Sequence, residues 1–317
     1  MKSPWVPLLI ATIVGGAAVA LVNHQFATTF NVFVILQGAA GYAVIGFAAL
    51  VVLAVRDITL AVGGIASAAC VLFGWLVQDI KVPVLLAALA ALLLGIAAGW
   101  VNGIIITRSG LTGFVVTLAT GAAFTGLALG FTGSFEFESI PASWTNFGQG
   151  RIGIFPDIGF ITVVITVLLV VLYKWAPRGR SMLATGGNPE AARLAGISTS
   201  KEIVYGHTLS GLLSAVAALL YVGTIGSASP DLGQNWVLLS FAVPIIGGTA
   251  LMGGRVSVTG ALVAAVILST INDALILLNV SQYSVTFAQG LLILLAVFAG
   301  RLQGFGMLRR RTQEGTS

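Results

Sequence analysis

Long apolar runs alternate with short polar connections along the whole chain, and that rhythm predicts about ten membrane-crossing helices. The runs are 5–22, 32–55, 58–77, 82–106, 112–132, 158–172, 203–226, 236–252, 256–278 and 285–299, each expected to cross with some tilt. The expected fold is therefore an all-α polytopic membrane protein, with one transmembrane domain over 1–300 and a basic, polar tail over 301–317. The N-terminal run resembles a signal peptide, but its length and its direct passage into further spans predict a first helix that stays attached.

One connection departs from the rest. Residues 174–201 read KWAPRGRSMLATGGNPEAARLAGISTSK and carry Lys174, Arg178, Arg180, Arg193 and Lys201, so the segment must lie in water. Within it, Asn188, Pro189 and Glu190 spell a helix start: a capping side chain, a ring preset for the first helical position, and an acid facing the positive end of the dipole. Gly196 supplies the stop. The prediction is one short helix of about two turns, carrying Ala191, Ala192, Leu194 and Ala195. It has no bilayer to span and no core to join, so its small-residue surface suits docking into a groove on another protein.

Charge fixes the expected orientation. With the N-terminus inside, Lys2, Arg56, Arg108, Lys174, Arg178, Arg180, Arg193, Lys201, Arg255, Arg301, Arg309, Arg310 and Arg311 fall in the cytoplasm, and of the fifteen basic residues only Lys81 and Arg151 fall outside. Both termini and the 174–201 loop are then cytoplasmic. On the outer side, 133–157 carries Glu136, Glu138 and Asp157, and 227–234 carries Asp231. Both loops are either ordinary solvated connections or contacts for a soluble partner with a basic face. The tail from Arg301 is expected near anionic headgroups.

Composition agrees with this class: 57% hydrophobic and 8% charged residues, with a mean hydropathy of +1.04, lie far from soluble domains. Most of the forty glycines lie inside apolar runs, where small residues allow close helix packing. The formal charge of +5 follows from topology rather than nucleic-acid binding, because the basic residues lack aromatic interleaving. Cys70 permits no intrachain disulfide. Gly-Gly steps at 63–64, 186–187, 247–248 and 253–254 form no convincing repeat.

Catalytic signatures are missing. The chain has no phosphate loop, HExxH, GxSxG or metal-spaced Cys/His cluster, so no cofactor is expected to bind it, and any ATP consumed must be held with its Mg by another polypeptide. His24 and His207 read as interfacial or packed histidines. Polar residues inside spans are costly, and each either lines a path or bonds helices together. They are Gln37, Thr59, Asn102, Thr117, Thr120, Asn272 and Asp273, with Gln289 in the tenth run. Asp273 is the only acid well inside a span, and beside Asn272 it can hydrogen-bond a hydroxylated solute. Arg56 and Asp57 sit between the second and third runs, where a charged pair partly below the headgroups needs partners.

GGNPEAARLAGIS at 186–198 resembles the coupling-helix motif of bacterial ABC importer permeases for ribose, arabinose, xylose and autoinducer 2. WVNGIIITRSGLTGFVVTLAT, LSGLLSAVAALL, IIGGTALMGGRVSVTGALV and NDALILLNVS support the resemblance, which covers about residues 30 to 300. It implies a permease in the bacterial inner membrane, paired with a second copy or a paralogue. It also implies two ATPase subunits or one tandem ATPase on the coupling helices, and a periplasmic or lipid-anchored solute-binding protein outside. The coupling positions would be Asn188, Pro189, Glu190, Ala191, Ala192, Arg193, Leu194 and Gly196. Where the family reads GGIDLSVGS, this chain reads VRDITLAVGG, so Thr59 holds the family's acid position and an acid appears at Asp57. The expected activity is ATP-driven import of a small hydrophilic solute, a monosaccharide foremost, with a nucleoside or an autoinducer-2-like molecule as alternative cargo. An ion-coupled secondary transporter, a channel or a purely structural subunit are the rival classes.

Overall fold

A computed structural model describes residues 5–280 together with Ser284, Phe287, Gly290 and Leu291. Nine apolar helices among the described residues match nine of the ten predicted runs: α1 (Trp5–Val22), α2 (Thr29–Leu53), α3 (Val62–Gln78), α4 (Val84–Ser109), α5 (Gly113–Thr132), α7 (Asp157–Lys174), α10 (Thr199–Ile225), α11 (Trp236–Ile246) and α12 (Val258–Leu277). The tenth run falls largely outside the described residues, and Lys2, Gln289 and the 301–317 tail fall wholly outside them. Three further helices, α6 (Ala142–Gln149), α8 (Pro177–Gly187) and α9 (Pro189–Leu194), occupy connections, and β1 (Arg151–Ile152) pairs antiparallel with β2 (Phe155–Pro156).

Six helices, α2, α4, α5, α7, α10 and α12, are long and apolar enough to cross a membrane. Two predicted spans are shorter than expected. The third run was expected to begin at residue 58, but α3 starts only at Val62. The eighth was expected to reach 252, yet α11 stops at Ile246. At α11, Pro244 interrupts the ladder, and positive φ at Gly248, Gly253 and Gly254 turns the chain away. At α2, the C-terminus closes with Arg56 N–H on the Leu53 carbonyl and Asp57 N–H on the Val52 carbonyl, with Arg56 in the left-handed region at φ 63. Hydropathy continues through both stretches, and only the backbone leaves the helix.

Burial identifies the centre. From Ala43 to Ala54, every side chain of α2 and its cap is fully enclosed, so this helix is apolar all round because protein surrounds it. Alongside it, α10 packs on α4 through a glycine ladder. A Cβ at Gly95, Gly99 or Gly103 of α4 would strike the backbone of Gly211, His207 or Val204. Small residues thus bring two backbones into contact where lipid offers no hydrophobic drive between helices.

The described basic residues divide unevenly between the two ends of the bundle. Arg56, Arg108, Lys174, Arg178, Arg180, Arg193, Lys201 and Arg255 lie at one end of the bundle, where Gly253 packs on Arg56 and Gly186 on Ala54. Arg151 lies at the opposite end, its guanidinium 5.8 Å from the Phe30 ring centroid and 5.4 Å from that of Phe33. There the two predicted outer loops meet in a bridge between Phe137 and Ala228, and Ser227 Oγ donates to Glu136 Oε2 at 3.0 Å. They form one acidic surface rather than two separate connections.

Two helical glycines in opposite settings test the packing. Gly64 abuts the Gly121 backbone, whereas Gly126 has open space around its missing Cβ. Gly64→Val is expected to lower the melting temperature in detergent, with an overpacking cost of about 1–3 kcal/mol. Gly126→Ala is expected to raise it, by about 0.5–1 kcal/mol of helix propensity.

Candidate functional site

The predicted water-side helix forms as α9, and its two ends follow the predicted chemistry. Asn188 Oδ1 accepts hydrogen bonds from Glu190 N–H and Ala191 N–H, both at 3.1 Å. Gly196 adopts φ 82, its N–H meets the Arg193 carbonyl, and Ile197 N–H reaches back to the Ala192 carbonyl, both at 2.9 Å. Glu190, Ala191, Arg193 and Leu194 are exposed and only Ala192 is buried. Leu194 is 92% exposed, a bare apolar knob on an element with no core of its own.

Sequence reasoning expected one helix in this loop, and the structure has two. Pro177 starts α8 at its first position, and Met182 is enclosed by the bundle. With a polar composition and its two large apolar residues, Met182 and Leu183, adjacent in sequence, α8 gives little periodic signal. Asn188 ends it, its N–H on the Ala184 carbonyl at 3.1 Å, while capping α9, so the two helices share a residue. The root of α8 touches the break after α2. A Cβ at Gly186 would overlap the Ala54 carbonyl and Gly254 N, and Gly254 N–H donates to the Ala54 carbonyl at 3.3 Å. Arg193 Nε also donates to Thr199 Oγ1 at 3.1 Å, holding α9 to the start of α10.

The non-helical stretch between α2 and α3 is fastened on its other side. His207 Nε2, on α10, donates to Asp57 Oδ2 at 2.9 Å, with the His207 side chain 1% exposed and that of Asp57 16%. Asp57 Oδ1 accepts from Ile58 N–H at 2.8 Å, and Gly113 at the start of α5 lies directly against this carboxylate. Leu60 N–H donates to Thr117 Oγ1 at 2.9 Å, which in turn donates to the Gly113 carbonyl at 2.7 Å. Thr59 is buried, its hydroxyl accepting from Ala61 N–H at 3.4 Å. Asn102 is buried, with Oδ1 unpaired among the described residues, one turn along α4 from Ala98, which packs with Ala61 and Ile65. The oxygen is suited to a bound water or a passing hydroxyl.

Three of the seven proposed path residues, Thr59, Asn102 and Thr117, therefore belong to the basic half of the bundle around the break. Thr120 lies one turn on from Thr117, its hydroxyl 3.5 Å from the Thr117 carbonyl. The others lie nearer the opposite end. Asp273 Oδ2 accepts from Asn31 Nδ2 at 2.7 Å, a bond between α12 and α2, with Asn272 beside it in sequence. Gln37 Nε2 donates to the Gly148 carbonyl of α6 at 2.9 Å and borders a cavity of about 160 Å³ that Tyr221 and Thr224 also line. Two partners escaped sequence reasoning. His207 read as a packed histidine and Asn31 was not singled out, because each partner is more than a hundred residues away in sequence. The charged Arg56-Asp57 pair was the available signal, since an acid at that depth needs a donor.

A bundle of apolar helices, broken and fastened at one end beneath a protruding capped helix, defines a multi-pass α-helical membrane protein. The chain belongs to the family described as branched-chain amino acid transport system / permease component, whose model matches residues 24–297. It is 32% identical over 300 residues to the ribose import permease protein RbsC of Haemophilus influenzae, covering 93% of this chain and 92% of that protein. Identity to RbsC of Escherichia coli is 33% over 300 residues, with 91% of each chain covered. The autoinducer 2 import system permease protein LsrC of Yersinia enterocolitica is 28% identical over 296 residues, with 93% of this chain and 82% of that protein covered. No solved structure matches.

The His207 hydrogen bond is open to a direct measurement. His207→Leu strands the Asp57 carboxylate and is expected to destabilise the protein by about 1–3 kcal/mol. His207→Gln, which restores a donor, is expected to recover part of that loss, read as melting temperature in detergent. Equal effects of the two substitutions would show that only ring volume matters there.

Proposed function

We propose that this chain is the membrane-spanning permease subunit of an ATP-driven importer in the bacterial inner membrane, with its basic end in the cytoplasm. Its cargo is a small hydrophilic solute, a monosaccharide. The names of the pairwise relatives carry the cargo class, ribose and autoinducer 2, although the family's own description mentions branched-chain amino acids. Two ATPase subunits or one tandem ATPase bind α9, with ATP and Mg held there. A second permease copy or a paralogue completes the membrane unit, and a periplasmic or lipid-anchored binding protein delivers solute to the acidic outer surface. The basic ends suit the inner leaflet, where positive loops collect.

The observation that carries the reading is the shape of α9: capped at both ends, rooted in the bundle through α8, and presenting Leu194 to water. Such a helix gains nothing by itself from exposing leucine, and a groove on an ATPase would bury it. Nucleotide binding shifts the permease only as far as the docked helix fits the motor differently in its two states. Motion of α9 passes through Asn188 to α8, through Gly186 to Ala54 and Gly254, and so to the 54–61 break. Asp57 and Thr117 hold that break closed against α10 and α5 until the lever moves. Solute then passes along the polar residues that both halves supply, Asn102 and Thr59 among them.

Leu194→Glu tests the docking directly, because a side chain this exposed contributes little to the fold. In proteoliposomes with the partner ATPase and binding protein, uptake is expected to fall at least tenfold, about the loss of one apolar anchor at an interface. The melting temperature should stay unchanged. Undiminished uptake, or transport by the purified permease alone on an ion gradient, would contradict the assignment.

A further inference from the structure

We propose that the groove between α4 and α10 at the basic end binds an anionic glycerophospholipid, its phosphate held by Arg178 and Lys201 and one acyl chain lying along the helices. The open groove measures about 440 Å³, with Trp100 and Ile104 of α4 and Val204 and Tyr205 of α10 as its apolar lining and the hydroxyls of Thr107, Ser200 and Thr208 among them. Arg178 and Lys201 stand at its rim. Apolar walls that end in two cations reproduce the two-part chemistry of an acidic lipid: hydrocarbon below, phosphate above.

The arginine is already in position. Its Nε lies 3.4 Å from Glu202 Oε2, and the guanidinium carbon stands 4.8 Å from the centroid of the Tyr205 ring. Its side chain is nonetheless 48% exposed. Neither of its Nη groups meets an acceptor among the described residues, which leaves their N–H donors available to phosphate oxygens. Lys201 is exposed and forms no ion pair among the described residues. Glu202 neutralises part of the arginine's charge, and this leaves Lys201 to supply the surplus that favours an acidic over a zwitterionic headgroup. A free anion would use the two cations but leave the apolar walls unused, which is why a lipid is the fitting occupant.

The site also touches the moving parts. Arg178 belongs to α8, which carries α9, and Lys201 belongs to α10, whose His207 fastens the break. A lipid phosphate spanning them would tie the lever's mount to the helix it moves against. This consequence rests on the permease reading above, whereas the binding itself rests only on the groove and the membrane fold.

Native mass spectrometry of the full-length protein in mild detergent, titrated with palmitoyl-oleoyl phosphatidylglycerol or phosphatidylcholine, tests the binding without any transport assay. Phosphatidylglycerol is expected to bind more tightly, with Arg178→Gln and Lys201→Gln each weakening it about fivefold, the scale of one basic residue at a charged surface. Phosphatidylcholine binding should be unchanged. Arg309→Gln, Arg310→Gln and Arg311→Gln together should leave the tight site intact, which separates it from the basic tail. Lys201→Gln alone alters an exposed side chain and keeps the test sound if Arg178→Gln fails to fold. Retention of full phosphatidylglycerol affinity by both variants would overturn the proposal. So would equal competition by inorganic phosphate, or a change in oligomer mass in place of a change in bound lipid.

Discussion

Backbone that is neither helix nor sheet cannot face hydrocarbon, because each unpaired N–H or C=O there costs several kcal/mol. Two stretches of this chain, 54–61 and 247–257, leave the helix between apolar segments, and the architecture at the basic end follows from enclosing them. Ala54, Val55, Thr59 and Ala61 are buried. On neighbouring elements, Thr117 Oγ1 meets Leu60 N–H and Gly254 N–H meets the Ala54 carbonyl. The second stretch is treated the same way: Ser257 N–H donates to Thr249 Oγ1 at 3.2 Å, and Ala250 N–H to the Arg255 carbonyl at 3.0 Å. The two stretches also satisfy each other, since the Gly254 bond to Ala54 joins them.

That mutual enclosure makes the basic end a tightly packed junction. Glycine allows it, because at Gly186, Gly253 and Gly254 any Cβ would push into backbone or into Arg56. Arg56 stays in a left-handed conformation that costs a non-glycine residue roughly 1 kcal/mol, held there by the Gly253 contact. A packed junction of this kind switches between discrete arrangements rather than bending smoothly. It is where a displaced α9 would be felt first. The opposite end is built differently, with Asn31 and Asp273 bonded across α2 and α12 and the two outer loops joined as one surface.

How much of this the sequence disclosed depends on range. Apolar length placed nine helices because burial in lipid or protein demands it locally, and the capped α9 was readable to the residue because Asn188, Pro189 and Gly196 act on their immediate neighbours. The breaks were misplaced because Ile58, Leu60, Leu251 and Met252 keep the hydropathy high where the backbone turns. The Gly-Gly steps carried no repeat, but 63–64, 186–187, 247–248 and 253–254 each prove to be sites of close backbone approach. His207 and Asn31 stayed hidden as partners because nothing near either one in sequence names the acid it meets. Family membership agrees with the resemblance read from the GGNPEAARLAGIS motif, while the altered VRDITLAVGG segment turns out to hold the Asp57 fastening.

In the proposed importer, α8 and the 54–61 break move as one body when the partner ATPase acts. Spin-label distances in the assembled transporter, with and without ATP, test it through two pairs: Ala184 with Ile58, and Ile58 with Leu111 at the entry to α5. ATP is expected to leave the first distance unchanged and to alter the second. A first distance that changes while the second holds would mean that α8 slides over a stationary break, and the proposed route of force would be wrong.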